Sequence, residues 1–331
     1  MRRRSDAILK ISILAGAAFM LAPLFVFAQE KAGQAGPAKT DTQQDSGDAV
    51  FSAESRLVPL NVTVTDKNGH LVVDLPRSAF QVLENNVVQQ MKDFKREDVP
   101  VSMGLVIDNS GSMRDKRQGV ESAALALVRD SNPQDEAFIV NFNDEPYLDA
   151  DFTSDIKVME QGLTRIDSRG GTAMRDAIRV SIDHLKEKAK RDKKVILVIT
   201  DGNDNASVIS LEALVHQAQQ DDVLIYAIGL LSEEEKREAE KAKRALKLLV
   251  DSTGGQVFYP KDVSEVDRIA HQVAHDIRNQ YTITYTPSNT ALDGSFRQIK
   301  VLVKAPGNPV ARTRTGYYAT KERQVSSAKQ P

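Results

Sequence analysis

The chain has 331 residues, with 44 basic and 46 acidic side chains and with neither cysteine nor tryptophan. The lack of cysteine excludes disulfides, thiolate zinc sites and a catalytic thiol, and the near-even charge argues against a nucleic-acid binder. Hydrophobic residues make up 41% of the chain, which is enough for folded domains, and the length predicts about two of them.

The first 28 residues have the layout of a secretory signal peptide. Four basic residues lie within the first ten positions, an uncharged stretch covers 11–28, and polar Gln29 follows. We expect cleavage near Ala28 by the general secretory route. The mature protein would then be secreted or periplasmic, without stable membrane insertion. An uncleaved membrane anchor is the alternative, because the uncharged stretch is at the lower limit for a spanning helix.

Residues 29–50 are small and polar, which is typical of a flexible leader. Strand periodicity begins in the next segment, 51–97, where Leu60, Val62 and Val64 alternate with polar residues. A turn signal at 66–69 is followed by a second predicted strand at 71–73, and the pattern of strand, turn and strand then repeats after position 80.

From position 99 to 279, buried strands alternate with helices. Each strand is a nearly continuous apolar run, which is typical of parallel strands covered on both faces. This alternation predicts an α/β fold with a doubly wound, mostly parallel sheet. The predicted strands cover 101–107, 137–140, 195–199 and 223–228, and the predicted helices cover 120–129, 154–166, 173–188, 211–220, 233–250 and 263–278.

Residues 280–319 return to strand alternation, and 320–331 have the composition of a disordered tail. The simplest architecture joins 51–97 with 280–319 in one small antiparallel β-sandwich, with the α/β domain inserted between its two parts. Two separate β appendages that flank the α/β domain are the alternative.

Oxygen-bearing side chains gather where the predicted parallel strands end. Asp108, Ser110 and Ser112 follow the first of these strands, Asp201 follows the third, and Thr172 opens a helix between them. Ligands of open α/β sheets bind at the carboxyl ends of the strands, so we expect these side chains to converge. Two carboxylates and three hydroxyls suit a hard cation, with Mg²⁺ favoured and Mn²⁺ or Ca²⁺ as alternatives.

These residues resemble the metal-ion-dependent adhesion site of von Willebrand factor A-type domains. The D-x-S-x-S motif at 108–112, Thr172 and Asp201 fill all the motif positions, and the resemblance covers roughly 99–279. It implies a Rossmann-like fold, the three hydroxyls as direct ligands, the two aspartates as direct or water-bridged ligands, and cation-dependent protein binding rather than catalysis. The flanking segments 61–69, 80–84, 280–287, 293–297 and 316–318 are similar to a subgroup of exported bacterial von Willebrand factor A-related proteins.

Other patterns are weaker. Asp176 is expected to pack or cap near the site rather than to bind metal. An EF-hand spacing begins at Asp201, but Ala206 stands where that loop requires glycine. His271 and His275 have a zinc-ligand spacing without a third ligand, so we expect them on a solvated helix face. Neither a hydrolase nucleophile elbow nor a nucleotide-binding glycine loop is present in the sequence.

The sequence therefore predicts an exported, non-enzymatic adhesion or scaffolding module with no catalytic residues. Its partner would be a protein that presents an Asp or Glu carboxylate to the cation. Two alternatives stay open at this stage. One is a structural protein of envelope assembly in which the cation stabilises loops, and the other is a metal-assisted hydrolase.

Overall fold

The computed structural model describes residues 57–96, 98–164, 168–202, 204–231 and 236–320, all of which belong to one compact unit. The predicted signal peptide, the leader and the tail beyond Thr320 lie outside these ranges. None of the helices in the described ranges has the length and apolar character needed to cross a membrane.

Within these ranges the chain forms fourteen strands and six α-helices. The strands are β1 (Val58–Thr65), β2 (Phe80–Glu84), β3 (Val87–Gln89), β4 (Met91–Lys95), β5 (Val101–Asp108), β6 (Glu136–Phe142), β7 (Pro146–Thr153), β8 (Lys193–Thr200), β9 (Val223–Gly229), β10 (Val257–Phe258), β11 (Tyr281–Tyr285), β12 (Phe296–Val303), β13 (Val310–Arg312) and β14 (Gly316–Tyr318). The helices are α1 (Arg117–Arg129), α2 (Ile156–Thr164), α3 (Met174–Lys188), α4 (Leu211–Gln220), α5 (Lys236–Thr253) and α6 (Val266–Arg278).

The central sheet contains six strands in the order β10-β9-β8-β5-β6-β7. All neighbouring strands are parallel except β6 and β7, which are antiparallel. Every residue of β5, β6 and β9 is buried. Burial on both faces is the physical reason for their continuous apolar runs. The predicted fold class, an α/β fold with a mostly parallel sheet, is confirmed.

Helices cover both faces of this sheet and create two separate cores. Leu105 and Ile107 belong to the core shared with α1, α2 and α6, whereas Val106 belongs to the core shared with α3, α4 and α5. Successive side chains of a strand point to opposite faces, so one apolar run supplies both cores.

Two further sheets are antiparallel, with the strand orders β13-β1-β11-β4 and β14-β12-β2-β3. Each of them combines strands that precede the α/β part with strands that follow it. In the first, β1 pairs with β11 from Val58 opposite Tyr285 to Val62 opposite Tyr281. In the second, β2 pairs with β12. Leu60 and Val82 of the first flanking segment are buried in the same hydrophobic core as Ile283 and Val301 of the second, so the two segments pack as one layered β structure.

The predicted strand at 71–73 is wrong. Leu71 makes only an isolated bridge with Thr65, and Val72 donates one backbone hydrogen bond to Val64 at 2.8 Å. The phenol of Tyr281 donates to the carbonyl of Val72 at 3.0 Å and accepts from the amide of Leu75 at 2.9 Å. A distant side chain therefore satisfies backbone groups that a strand partner would otherwise satisfy.

The sequence pattern does not predict strands β4 and β7, which the structure contains. Both are largely solvent-accessible, and their residues do not alternate cleanly between buried and exposed. A strand at the edge of a sheet can form without an apolar period, because pairing with its neighbour stabilises it more than burial does.

Candidate metal centre

Asp108 ends the central strand β5 and is 3% exposed. Its Oδ1 accepts the backbone amide of Ser110 at 2.8 Å, and its Oδ2 accepts the hydroxyl of Thr200 at 2.6 Å. The first bond is a local turn contact that directs the chain away from the strand. The second comes from the end of β8, which lies beside β5 in the sheet. Asp108 is therefore held by the loop that follows its own strand and by the end of the neighbouring strand β8.

Two serines and the second aspartate form a hydrogen-bonded row beside Asp108. The hydroxyls of Ser110 and Ser112 lie 3.1 Å apart, and Ser112 donates to Oδ1 of Asp201 at 2.8 Å. Ser110 is buried, and the side chain of Asp201 is 1% exposed, whereas Ser112 is exposed. Four of the predicted site residues are thus joined through hydrogen bonds, and Ser112 carries the row to the surface.

Thr172 reaches the same end of the sheet from the loop before α3. Its amide donates to Oδ1 of Asn205 at 2.9 Å, and its carbonyl accepts from the amides of Asn205 and Ala206. The Thr172 hydroxyl would lie 3.7 Å from a Cβ added to Gly202, so it is next to the residue that follows Asp201. Its side chain is buried, at 4% exposure.

The loop that carries Thr172 depends on Gly170. This residue has a φ of +76°, and a Cβ there would lie 2.2 Å from a carboxylate oxygen of Asp144. Asp144 also accepts the amide of Gly171 at 2.7 Å, and the carbonyl of Gly170 accepts the amide of Gly111. Both the positive φ and the close carboxylate require glycine here, which allows the 170–172 loop to lie against the 108–112 loop.

Burial raises the pKa of Asp108 to about 6, and the nearby charge of Asp201 acts in the same direction. Hydrogen bonds from Thr200 and Ser110 oppose this shift but do not cancel it. Two carboxylates thus lie close together in a place poor in water, where negative charge is unfavourable without a cation.

Lys116 adds a positive charge beside the two aspartates, although no sequence motif points to it. Its ammonium group contacts Oδ2 of Asp201, and its side chain is 27% exposed. Lys116 lies just before α1, eight positions after Asp108, where no short motif marks it. Thr200 and Asn205 support Asp108 and Thr172 through hydrogen bonds.

The donor set fits a hard divalent cation, since it consists of carboxylate and hydroxyl oxygens at the meeting point of three loops, and all of its residues except Ser112 are buried. Among the described residues, no three His, Asp or Glu side chains converge in a way that could hold a metal ion. A cation in this part of the molecule would therefore depend on the serine and threonine hydroxyls as well as on the two aspartates.

Asp176 has a supporting position near this site. Its carboxylate accepts the backbone amides of Val208 and Ile209 at 2.8 and 3.1 Å, while its own amide donates to the hydroxyl of Ser207. These bonds hold the loop between β8 and α4 against the start of α3. Asp176 therefore caps a neighbouring loop.

His271, one of the two histidines with zinc-ligand spacing, lies on the exposed side of α6. It contacts Asp130 and lies 3.5 Å from Asp267. The contact with Asp130 raises the pKa of His271. Its partners are thus carboxylates of the helix surface.

No curated protein sequence matches the chain. Among solved structures, the PilB minor pilin from Streptococcus sanguinis is similar at 12% identity and a TM-score of 0.46, covering 56% of this chain and 63% of that one. The chain therefore spans less than two thirds of PilB.

Two further structures are similar to parts of the chain. A von Willebrand factor type A protein from Catenulispora acidiphila has 12% identity and a TM-score of 0.48, covering 82% of this chain and 76% of that one. Proximal thread matrix protein 1 from the mussel byssus, with a zinc-occupied MIDAS motif, has 16% identity and a TM-score of 0.46, covering 59% and 50%.

One family model matches the sequence, that of the von Willebrand factor type A domain, over residues 103–203. The matched segment begins in β5 and ends just after β8, and it includes every residue of the candidate metal centre. Residues 103–203 therefore match the von Willebrand factor type A domain, as the resemblance of the motifs predicts.

Proposed function

We propose that this chain is an exported, divalent-cation-dependent protein-binding module. The observation that carries the proposal is the hydrogen-bonded row from Ser110 through Ser112 to Asp201, which begins beside buried Asp108 and reaches the surface at Ser112. The proposed ligands are Asp108, Ser110, Ser112, Thr172 and Asp201. Mg²⁺ is the preferred ion, with Mn²⁺ and Ca²⁺ as alternatives.

Each group has a separate part in binding. Asp108 and Asp201 supply the negative charge, and the buried hydroxyls of Ser110 and Thr172 supply neutral oxygens. When bound, the cation supplies a positive centre with an open position for a carboxylate from outside. Ser112 lies at the solvent side of the row, so a partner's Asp or Glu would approach there. Neutral hydroxyl ligands leave the ion more attractive to that carboxylate than a set made only of carboxylates would.

Protein binding is favoured over hydrolysis because the candidate bases are engaged away from the centre. Nε2 of His184 lies 2.8 Å from Asp151, and its ring stacks on Phe152. The ring centroid of His216 lies 4.0 Å from that of Tyr318, and Tyr318 belongs to β14 of the flanking β structure. A metal-assisted hydrolase needs a base close to the ion, and these two histidines do not supply it.

The location and the domain limits are part of the same proposal. Export depends on residues 1–28 acting as a signal that is cleaved near Ala28, which leaves the leader 29–50 on a secreted or periplasmic protein. The α/β domain occupies 99–279 and is inserted between the two parts of a β-sandwich, 51–97 and 280–319. The pairing of β1 with β11 and of β2 with β12 supports this division.

Calorimetric titration with Mg²⁺ and Mn²⁺ tests the site directly. Asp108→Ala and Ser110→Ala should stay folded by circular dichroism and bind both ions about ten-fold or more weakly than the wild type. Asp151→Ala and Ser131→Ala are matched controls, since both residues lie outside the site, and they should bind as the wild type does. Unchanged ion binding by the site variants would refute the assignment.

A structural role in envelope assembly is the second candidate. Val87 and Val88 on β3, at the edge of a flanking sheet, are 55% and 56% exposed, which is a feature of surfaces that pair with other chains. A large fall in melting temperature on adding EDTA, together with metal-independent capture of partners, would favour this role. Metal-dependent capture would favour the adhesive one.

A further inference from the structure

A pocket of about 870 Å³ opens beside the proposed metal centre. It lies between the end of β9, the first turns of α5 and the loop that precedes α6. Gly229, Lys236 and Tyr259 line it from these three directions. Lys116 also lines it, and the same lysine contacts Asp201 of the metal centre. The pocket and the centre therefore share one wall.

Positive charge dominates this pocket. Four lysines and two acidic side chains line it, so the lining has a net positive charge, although Lys116 is paired with Asp201 and Lys243 with Glu240. Glu240 pairs with Lys243 at 3.1 Å, and Asp262 accepts the amide of Ser264 at 2.8 Å. Lys236 and Lys261 are exposed and have no ion pair with any residue in the described part of the chain. The lining lysines are Lys116, Lys236, Lys243 and Lys261.

The pocket also has a firm apolar wall. The ring of Tyr259 packs over Gly229 so closely that a Cβ at Gly229 would lie 2.9 Å from it. The phenol of Tyr259 donates to the carbonyl of Lys243 at 3.1 Å, which joins the wall to α5. Leu230 is 5% exposed and completes this side. A wall of this kind suits the carbon chain of an amino-acid side chain whose charged end reaches the lysines.

We propose that this pocket receives a second carboxylate of the partner, so that the partner's binding segment is an acidic peptide with at least two Asp or Glu residues. This inference rests on the proposed function, because one carboxylate of the segment would bind the metal centre. The lysines attract the other, and Lys116 stands between the two positions. Since the whole chain has a net charge of −2, the attraction is local to this pocket and is not a general affinity for polyanions.

Two synthetic peptides of equal length test the inference: hexaglutamate, and a peptide with one glutamate among glutamines. Binding to the full chain is measured by fluorescence anisotropy with Mg²⁺ and with EDTA. The pocket variant is Lys236→Gln/Lys261→Gln. The matched control is Lys241→Gln/Lys247→Gln, which removes the same charge from the surface of α5 outside the pocket.

With Mg²⁺ present, the wild type should bind hexaglutamate more tightly than the peptide with a single glutamate. The pocket variant should lose about three- to ten-fold in affinity for hexaglutamate and nothing for the other peptide, because only a second carboxylate meets the lysines. The control variant should bind both peptides as the wild type does. Added salt should weaken only the part of the binding that depends on the pocket.

Equal binding of hexaglutamate by the pocket and control variants would overturn the inference, while Mg²⁺-dependent binding of the single-glutamate peptide would still support the proposed function. EDTA could leave all binding unchanged while the pocket variant still binds hexaglutamate more weakly than the wild type does. That result would support the pocket and contradict the metal-dependent function. If the wild type binds hexaglutamate neither with Mg²⁺ nor with EDTA, the inference is overturned. The proposed function is then tested separately by the calorimetric metal titration.

Discussion

Ser112 donates a 2.8 Å hydrogen bond to Asp201, although 89 positions separate them in the chain. The contact exists because β5 and β8 are parallel neighbours in the central sheet, so the loops that follow them leave from the same edge. Neither residue is near the other in sequence, and neither strand alone would place them together. The candidate metal centre is therefore a product of the sheet's strand order.

Lys116 occupies the place of a counter-ion for Asp201, so its removal should have two opposite effects. In Lys116→Met, the Mg²⁺ affinity should rise about three- to ten-fold, because the ammonium group no longer competes with the metal for the carboxylate. Without metal, the variant should lose about 1–3 kcal/mol of unfolding free energy, since the Asp201 side chain is 1% exposed and would lack its cation.

Calorimetry and urea unfolding, each with and without EDTA, measure these two effects. Lys188→Met is the control, because Lys188 pairs with exposed Asp151 outside the site. This variant should change neither the Mg²⁺ affinity nor the unfolding free energy appreciably. A fall in Mg²⁺ affinity in Lys116→Met would contradict competition and would make Lys116 a supporting residue of the metal site.

Gly170→Ala should destabilise the protein by about 2–4 kcal/mol, because a Cβ there would meet both an unfavourable φ and the carboxylate of Asp144. Gly69→Ala is the matched control: its φ is +84°, but nothing lies within 4 Å of the added Cβ, so a loss of about 1 kcal/mol is expected. Mg²⁺ affinity should fall only in Gly170→Ala, because that loop carries Thr172. Equal losses of unfolding free energy in the two variants would show that a local movement relieves the contact between the added Cβ and Asp144.

Tyr285→Phe should cost about 1–2 kcal/mol of unfolding free energy. The phenols of Tyr285 and Tyr317 donate to the same oxygen of Glu84 at 2.7 and 3.0 Å, and Glu84 is 3% exposed. Loss of one donor leaves a buried carboxylate less well satisfied. Tyr147→Phe removes a phenol hydrogen bond at the surface and should stay within about 0.5 kcal/mol. Chemical denaturation measures both variants, and an equal loss of unfolding free energy in Tyr285→Phe and Tyr147→Phe would show that the Tyr285 hydrogen bond to Glu84 does not stabilise the fold.

Asp276→Asn should change how stability depends on pH. Burial raises the pKa of Asp276 to about 6, and the charges of Arg312 and His275 oppose the shift only in part. The folded protein therefore holds this proton more tightly than the unfolded chain. The resulting stabilisation is complete below about pH 4 and is lost as the pH rises through about 6.

Urea unfolding across this range should show the wild type losing on the order of 2–3 kcal/mol relative to Asp276→Asn between about pH 4 and pH 7. Asp192→Asn, a change at an exposed carboxylate, should show no such trend. A difference that stays constant with pH would contradict the raised pKa.

Much of the fold could be predicted because its signals are local. The apolar runs of β5, β8 and β9 reflect burial on both faces, and this pattern is visible in any short window of sequence. Thr172 and the D-x-S-x-S motif could be found for a related reason, since each lies directly at the end of a strand or the beginning of a helix.

Other features could not be predicted because they depend on distant partners. Residues 71–73 look like a strand, but the carbonyl of Val72 accepts a hydrogen bond from the distant phenol of Tyr281 instead of from a strand partner. The exposed strand β7 has no regular apolar period, and pairing with β6 defines it. Lys116 has no distinctive position in a motif, and its role appears only where α1 approaches the end of β8.

By itself, the amino-acid sequence determined the α/β class, the alternation of strands and helices and the identity of the oxygen-bearing residues, because burial periodicity and strand-end motifs act over a few residues. Only the tertiary structure decided that the two flanking segments share one core, that Lys116 meets Asp201, and that a lysine-lined pocket adjoins the candidate metal centre. These relationships are set by long-range strand pairing and helix packing, which join groups that no short stretch of sequence contains together.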